Sequence, residues 1–320
     1  MIKKYKPNSL QELKELVSDK SVHLGDIDTS LITDMTELFK DSTRKNFDGL
    51  ETWDTSNVTT MERMFHRAKY FNHPIGNWDV SSVTNMECIF CGCSNFNQPL
   101  GDWDVSSVTN MESMFGTCGK FNQPLNDWDV SKVRKISCMF CEAESFNQPL
   151  DRWNTSEVRE MSWTFAGCTK FNQDISSWDT SNATVMEGVF ERAARFNQPL
   201  NTWNVSNVQN MYCMFNEAKS FNQPLDRWDV SNAKDMAYMF CKATSFRQPI
   251  TAWRLCGQST KGMFLRLPDY RDMESRVMCL TPHDEEAMRY DLEDMIGIFG
   301  EEAVQDALRL YGPKYGLKED

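Results

Sequence analysis

Two cysteine pairs carry the most reactive side chains of this sequence. Each pair has the spacing Cys-x-x-Cys, at Cys88 and Cys91 and again at Cys138 and Cys141. This spacing is typical of half a zinc site, because two nearby thiolates can bind one ion. Zinc–sulfur bonds are only about 2.3 Å long, so the fold decides whether further ligands reach either pair.

An internal repeat of 25 residues must position these side chains. Tryptophan recurs at that spacing at nine positions: Trp53, Trp78, Trp103, Trp128, Trp153, Trp178, Trp203, Trp228 and Trp253. Two phenylalanine columns, which include Phe65 and Phe71, follow the same period. A period this strict predicts a solenoid in which each coil buries its apolar side against its neighbours. We count ten coils from Ile27 to about Phe264, of which the first and the last are degenerate.

Within one coil the sequence predicts a short helix and an extended segment. Four apolar residues have the spacing of one helical face: Val83, Met86, Phe90 and Cys93. Asp79 or Ser81 occupies the position of an N-cap. The FNQPL segment before each tryptophan is predicted to be extended, with coils stacked about 4.8 Å apart. The asparagines of that segment are then expected to form a ladder that bonds to the backbone of the turns.

The repeat separates the two cysteine pairs but brings a histidine to one of them. The pairs lie two coils apart, roughly 10 Å at the spacing of stacked strands, so one ion cannot bridge them. His66 occupies the position of Cys91 one coil earlier. A site made of His66, Cys88 and Cys91 therefore stays open. Free thiols are the favoured interpretation, and we predict neither a metal nor a cofactor.

Three other cysteines are predicted to be core residues. Cys93, Cys118 and Cys168 share a repeat position with alanines in the other coils. A position at which cysteine and alanine alternate is small and buried. We therefore assign these thiols to packing.

A column of carboxylates follows the tryptophans. It consists of Asp54, Asp79, Asp104, Asp129, Asp179 and Asp229, with asparagine at positions 154 and 204. Because asparagine replaces aspartate and a serine always follows two residues later, we expect an Asx turn that accepts backbone N–H bonds. Calcium binding is the weaker alternative, since the Gly-rich turns of calcium-binding β-solenoids are absent.

Both ends of the solenoid need covering. Ser9 and Glu12 form a capping-box pattern, which predicts a cap helix over residues 9–18 within an N-terminal segment 1–25. The solenoid extends over residues 26–267. Residues 268–320 contain 14 acidic and 6 basic side chains. Further helices are predicted in this segment. These helices form either a C-terminal cap or a separate docking module.

The consensus unit FNQPLxxWDVSxVTNMExMF resembles the repeat of BspA-like bacterial surface proteins. Such proteins carry 25- or 26-residue repeats that are common in mycoplasma-type lipoproteins. The resemblance covers about residues 26–265. It implies a leucine-rich-repeat-like solenoid without catalytic activity, usually displayed outside the cell for adhesion or partner binding. The sequence shows no secretory signal and no lipobox cysteine, so the 11 cysteines predict a cytoplasmic or otherwise reducing compartment.

Composition and motifs exclude several classes of function. A net charge of −12 is unfavourable for nucleic-acid binding, which depends on Lys and Arg. No apolar run approaches the ~18 residues of a membrane span. The chain has 4 histidines and no phosphate-binding loop or serine-nucleophile motif. We therefore expect no enzymatic activity.

Positions that vary between coils are the candidates for partner binding. The basic cluster lies on two adjacent coils and consists of Lys132, Arg134, Lys135 and Arg159. It is either a solvated face or a site for an acidic partner. Trp163 and Tyr212 replace small or polar residues and are predicted to be exposed contact residues.

Together these observations predict an α/β repeat solenoid with helical caps. We expect a right-handed, leucine-rich-repeat-like superhelix of about ten 25-residue coils that binds a protein partner without catalysis. A structural or adhesive, self-associating surface protein is the alternative.

Overall fold

A ladder of isolated parallel β-bridges joins the coils of a solenoid. The computed structural model describes residues 3–250, 252–253, 255 and 257–267. The ladder consists of the pairs Asp34–Thr60, Thr60–Asn85, Asn85–Asn110, Asn110–Lys135, Lys135–Glu160, Glu160–Val185, Val185–Asn210, Asn210–Asp235 and Asp235–Ser259. These nine bridges join ten successive positions along the chain, one in each of the ten predicted coils. The helices predicted within residues 268–320 lie outside the described residues.

The bridges between coils do not lie in the segment that the sequence predicts to be extended. The bridges fall just before each methionine, and in the described part of the chain no bridge involves FNQPL. At Asn85, the N–H groups on either side bond in opposite directions, from Thr84 to the Thr59 carbonyl (2.9 Å) and from Met86 to the Asn110 carbonyl (3.0 Å). Backbone bonds to the coils on both sides therefore hold the chain at Asn85.

The prediction of a helix in each coil is wrong for the described coils. A series of tight turns takes the place of that helix. Alternate N–H groups bond within the coil, as from Ile89 to Met86 (3.2 Å), and to the next coil, as from Cys88 to Glu112 (2.8 Å). Cys88 and Gly92 have positive φ angles of 54° and 82°. The left-handed residues turn every second N–H toward the neighbouring coil, which a helix cannot do because its N–H groups all bond internally.

The core contains two parallel stacks of phenylalanine rings. In the first stack, rings of successive coils lie 5.4–5.8 Å apart between centroids. From Phe65 to Phe240, each ring also packs on a ring of the second stack at 3.8–4.2 Å. Offset stacking at these distances stabilises aromatic pairs beyond the area that they bury.

The tryptophan column adds a ladder of hydrogen bonds to the apolar stacks. Each of the nine indole N–H groups donates to a main-chain carbonyl of the preceding coil at 2.9–3.2 Å. Trp128, for example, is 3% exposed and donates to the Leu100 carbonyl at 3.0 Å. The indole thus satisfies a buried acceptor and fills the core at the same time.

The predicted asparagine ladder is confirmed. The side-chain oxygen of Asn72 accepts the Asn97 backbone N–H at 2.9 Å, and the same contact recurs in the following coils up to Asn222 and Arg247. From Gln98 onward, the glutamine of this segment donates to the same segment of the preceding coil, as from Gln98 to Asn72 at 3.2 Å. Side chains thus replace backbone pairing in this segment, where a proline lacks an N–H group.

One helix covers the N-terminal end of the solenoid. Helix α1, Leu10–Ser18, begins after the N-cap Ser9, whose hydroxyl accepts the Glu12 N–H. The helix buries Leu13 and Val17. The Arg44 guanidinium, which is largely buried, donates to the carbonyls of Val17, in the last turn of the helix, and of Asp19 and Val22 after it. Two short 3₁₀ helices, Leu24–Asp26 and Leu50–Thr52, lie next to this cap.

Candidate binding surface

The basic cluster lies on the outer surface next to the bridge ladder. Arg134 and Arg159 are both exposed and occupy equivalent positions of neighbouring coils. The Arg159 N–H donates to the Arg134 carbonyl at 3.0 Å, so the two side chains leave adjacent points of a fixed backbone. Among the described residues, neither guanidinium has a carboxylate within ion-pair distance.

The two lysines of the basic cluster differ in their surroundings. The Lys135 ammonium lies 3.3 Å from a Glu160 carboxylate oxygen. Lys132 is exposed and helps to lower the pKa of Asp104 and Asp129, after the larger effect of the serine bonds described below. Lys132, Arg134 and Arg159 are thus exposed cations without an ion-pair partner among the described residues.

Trp163 and Tyr212 are less exposed than predicted. Trp163 is only half-exposed, because its ring covers Gly188 of the next coil so closely that a Cβ there would lie 2.1 Å from the ring. Tyr212 is also half-buried, and it packs edge-to-face against Tyr238 at 6.0 Å between centroids. Neighbouring coils thus cover part of the apolar surface of both side chains.

Tyr70 is a further exposed aromatic residue, which was not predicted from the sequence. It is 41% exposed, with the Lys45 and Lys69 ammonium groups 5.4 and 5.5 Å from its ring centroid. The other coils place Asn, Lys, Ser or Arg at its repeat position. That contrast is a sequence signal for a surface aromatic.

The aspartate column forms Asx turns, as predicted. In Asp79 a carboxylate oxygen accepts the backbone N–H and the hydroxyl of Ser81 at 3.0 and 2.6 Å. Asn154 makes the same contact with the N–H of Ser156 at 3.2 Å. Bonds from the following serine lower the pKa of four of the carboxyl groups below the ordinary value of 3.8, those of Asp79, Asp104, Asp129 and Asp229.

We expect the solenoid to lose stability in acid through these turns. A carboxyl group with a depressed pKa stabilises the folded state above its ordinary pKa, and that stabilisation is lost as pH falls through the folded-state value. Replacing all four aspartates by asparagine should leave the melting temperature at neutral pH nearly unchanged, because asparagine makes the same turn. The variant should lose less stability than the parent protein as pH falls below about 4. Melting curves at a series of pH values test this, and parallel pH profiles would count against it.

The three cysteines assigned to packing are fully buried. Each thiol donates to a carbonyl of the preceding coil at 2.9–3.0 Å, those of Cys93, Cys118 and Cys168 to Phe65, Phe90 and Phe140. Burial raises the pKa of Cys93 to about 12. These thiols are therefore protonated packing residues, as predicted.

The structure brings His66, Cys88 and Cys91 together. One imidazole nitrogen and the two sulfurs all lie within 4.8 Å of one another, and all three residues are partly exposed. A hydrogen bond from Cys91 lowers the pKa of Cys88 to about 7, and the same contact raises the pKa of Cys91. Burial lowers the pKa of His66, which favours the neutral, ligating form of the ring.

In the described residues, no helix has the length and apolar character needed to cross a membrane. The longest helix there is α1, with 9 residues.

Comparisons with known proteins identify the repeat. A search among curated proteins gives no match. Among solved structures, the crystal structure of the TLR13–ssRNA13 complex matches at 8% identity and a TM-score of 0.19, over 79% of this chain and 49% of that one. This chain thus spans about half the length of that protein, and so weak a likeness carries no argument. A family model described as "Mycoplasma protein of unknown function, DUF285" matches residues 8–118, 75–172 and 148–253. The chain belongs to this mycoplasma repeat family.

Proposed function

We propose that this protein is a non-catalytic binding scaffold that holds an acidic segment of a protein partner on the basic cluster. The observation that carries the proposal is the pair of exposed arginines, Arg134 and Arg159, on adjacent coils without carboxylate partners in the described structure. Guanidinium groups bind carboxylates through paired hydrogen bonds, which suits them to this role.

The backbone beneath these arginines supports the proposal. The Arg134 N–H donates to the Thr109 carbonyl at 2.9 Å, and the Thr184 N–H donates to the Arg159 carbonyl at 3.2 Å. Main-chain hydrogen bonds to the coils on both sides thus fix the backbone of both arginines. A partner that binds here orders only the two side chains, so little free energy is lost to ordering the backbone.

The resemblance to BspA-like proteins supports a binding role as well, since it implies adhesion or partner binding rather than catalysis. We extend the proposal to a right-handed, leucine-rich-repeat-like winding of the solenoid. Parallel segments joined by a crossover are right-handed in nearly all known cases, and the parallel bridge ladder connects successive coils in that way.

Binding of a fluorescent glutamate-rich peptide to the purified full chain tests the proposal. We expect Arg134→Ala/Arg159→Ala to weaken binding by roughly fivefold to thirtyfold, since each exposed charge pair contributes up to about 1 kcal/mol. Binding should also weaken as salt is added, because the dissolved ions screen the attraction between exposed charges.

The matched control removes two exposed arginines from another part of the surface. Arg152 and Arg227 are both exposed, and Arg152→Ala/Arg227→Ala changes the net charge by the same amount. Equal losses of peptide affinity in the two double variants would show that the effect depends only on overall charge. That result would contradict the proposal. Absence of peptide binding together with concentration-dependent self-association, measured by sedimentation, would favour the structural or adhesive alternative.

A further inference from the structure

We propose that His66, Cys88 and Cys91 bind one zinc ion in a site with an open fourth position. The three side chains come from two neighbouring coils, with His66 in one coil and both cysteines in the next. Their ligand atoms lie within 4.8 Å of one another. Two thiolates and one imidazole are a donor set that zinc prefers.

The distances require only small side-chain movements. In tetrahedral zinc sites with bonds of about 2.0–2.3 Å, neighbouring ligand atoms lie roughly 3.3–3.8 Å apart. Side-chain rotations of partly exposed residues can close a gap of this size. The cluster is therefore close to the geometry of a bound ion without a change in the backbone.

A second observation points to an ion at this position. The Nδ1 atom of His66 is buried and has no hydrogen-bond partner. Buried polar atoms are normally paired, so such an orphan needs an explanation. Rotation of the ring toward the two sulfurs would give one imidazole nitrogen a metal as its partner, while the second nitrogen bonds to solvent.

The charge balance also suits a divalent ion. Binding converts two thiols to thiolates, so two protons leave as one Zn²⁺ enters and the site becomes formally neutral. The nearby Arg63 guanidinium is held at 2.8 Å by a Glu87 carboxylate, which reduces its repulsion of the metal. Because the three ligands are partly exposed, water can reach the fourth position.

The second cysteine pair supplies an internal control. Cys138 and Cys141 have the same spacing and the same partial burial. The position that corresponds to His66 one coil earlier is Gly116, which offers no ligand. The proposal therefore predicts that only one of the two pairs binds zinc tightly.

Competition with a chromogenic chelator measures zinc binding by the reduced full chain. We expect one tight ion per chain, with affinity at least about a hundredfold weaker in Cys88→Ser and in His66→Ala. Cys138→Ser should bind as tightly as the parent protein. Cobalt in place of zinc should give the visible absorption of a tetrahedral thiolate site, lost in the same two variants.

Zinc should also raise the melting temperature of the parent protein, because the ion joins two coils and binds the folded state selectively. Circular dichroism of each variant without metal confirms that it folds. Unchanged affinity in Cys88→Ser and His66→Ala would overturn the proposal. An equal loss of zinc affinity in Cys138→Ser would also overturn it. The absence of tight zinc binding by the parent protein would do the same.

Discussion

Phe140→Ala is expected to lower the free energy of unfolding by about 3–5 kcal/mol, the usual cost of removing a buried phenylalanine. The Phe140 side chain is fully buried. Its ring lies 5.7 Å from those of Phe115 and Phe165 and 4.1 Å from that of Phe146. Truncation therefore leaves a cavity between three coils at once. Urea titration followed by far-UV circular dichroism measures the change.

Phe264→Ala is the matched control, because it removes the same ring from the last described coil. Phe264 is only partly buried, and within the described residues it stacks on one neighbour, Phe240, at 5.8 Å. In a solenoid each coil contacts only its neighbours, so this loss should be clearly smaller. Equal losses for Phe140→Ala and Phe264→Ala would contradict the continuous stack as the source of stability.

Gly49→Ala should have the second large effect, a loss of about 2 kcal/mol or more near the N-terminal cap. Gly49 has a φ of 93°, which is strained for alanine. A Cβ at this position would lie 2.2 Å from the Gly25 backbone nitrogen. Two backbone segments must then separate, and helix α1 with the first coil should open more often. Hydrogen exchange of residues 3–60 followed by mass spectrometry detects this locally.

Gly119→Ala is the control for Gly49→Ala. A Cβ at Gly119 would meet nothing within 4 Å, and its φ is not among the positive ones. We expect stability to change by less than about 1 kcal/mol, with exchange near the cap unaltered. If the amide hydrogens of residues 3–60 exchange equally slowly in both glycine variants, the close backbone approach at Gly49 does not hold the cap in place.

Much of the fold could be predicted from columns in which related residues replace one another. Aspartate alternating with asparagine before a serine indicates an Asx turn, and the turn of Asp79 and that of Asn154 are the same. Cysteine alternating with alanine indicates a small buried position, as at Cys93. Such substitutions reveal the physical requirement of a site because only residues that meet it recur.

The helix could not be distinguished from the turns by periodicity. In the coil of Phe90, the buried residues Met86, Ile89, Phe90 and Cys93 have helical spacing. In the structure, tight turns that contain left-handed residues such as Cys88 bury side chains at the same spacing. Non-glycine residues rarely adopt this conformation because it is strained. Here the Cys88 N–H gains a bond to the next coil, a long-range effect that local spacing does not show.

The candidate sites were predicted in part. The repeat register already places His66 beside Cys91, and the structure brings both together with Cys88. The exposure of Trp163 was mispredicted because it depends on Gly188 in the next coil. The sequence does contain that glycine at the equivalent repeat position, so comparing the residues of successive coils could have shown where the ring packs.

Reversing the charge of the two exposed arginines tests the binding proposal most directly. Arg134→Glu/Arg159→Glu should bind the glutamate-rich peptide more weakly than the parent protein and should gain affinity for a lysine-rich peptide of equal length. The paired control, Arg152→Glu/Arg227→Glu, carries the same net charge and should keep the preference of the parent protein. Reversal of peptide preference only in the first variant is the result that our account predicts. An unchanged preference in that variant, or the same reversal in both, would contradict it.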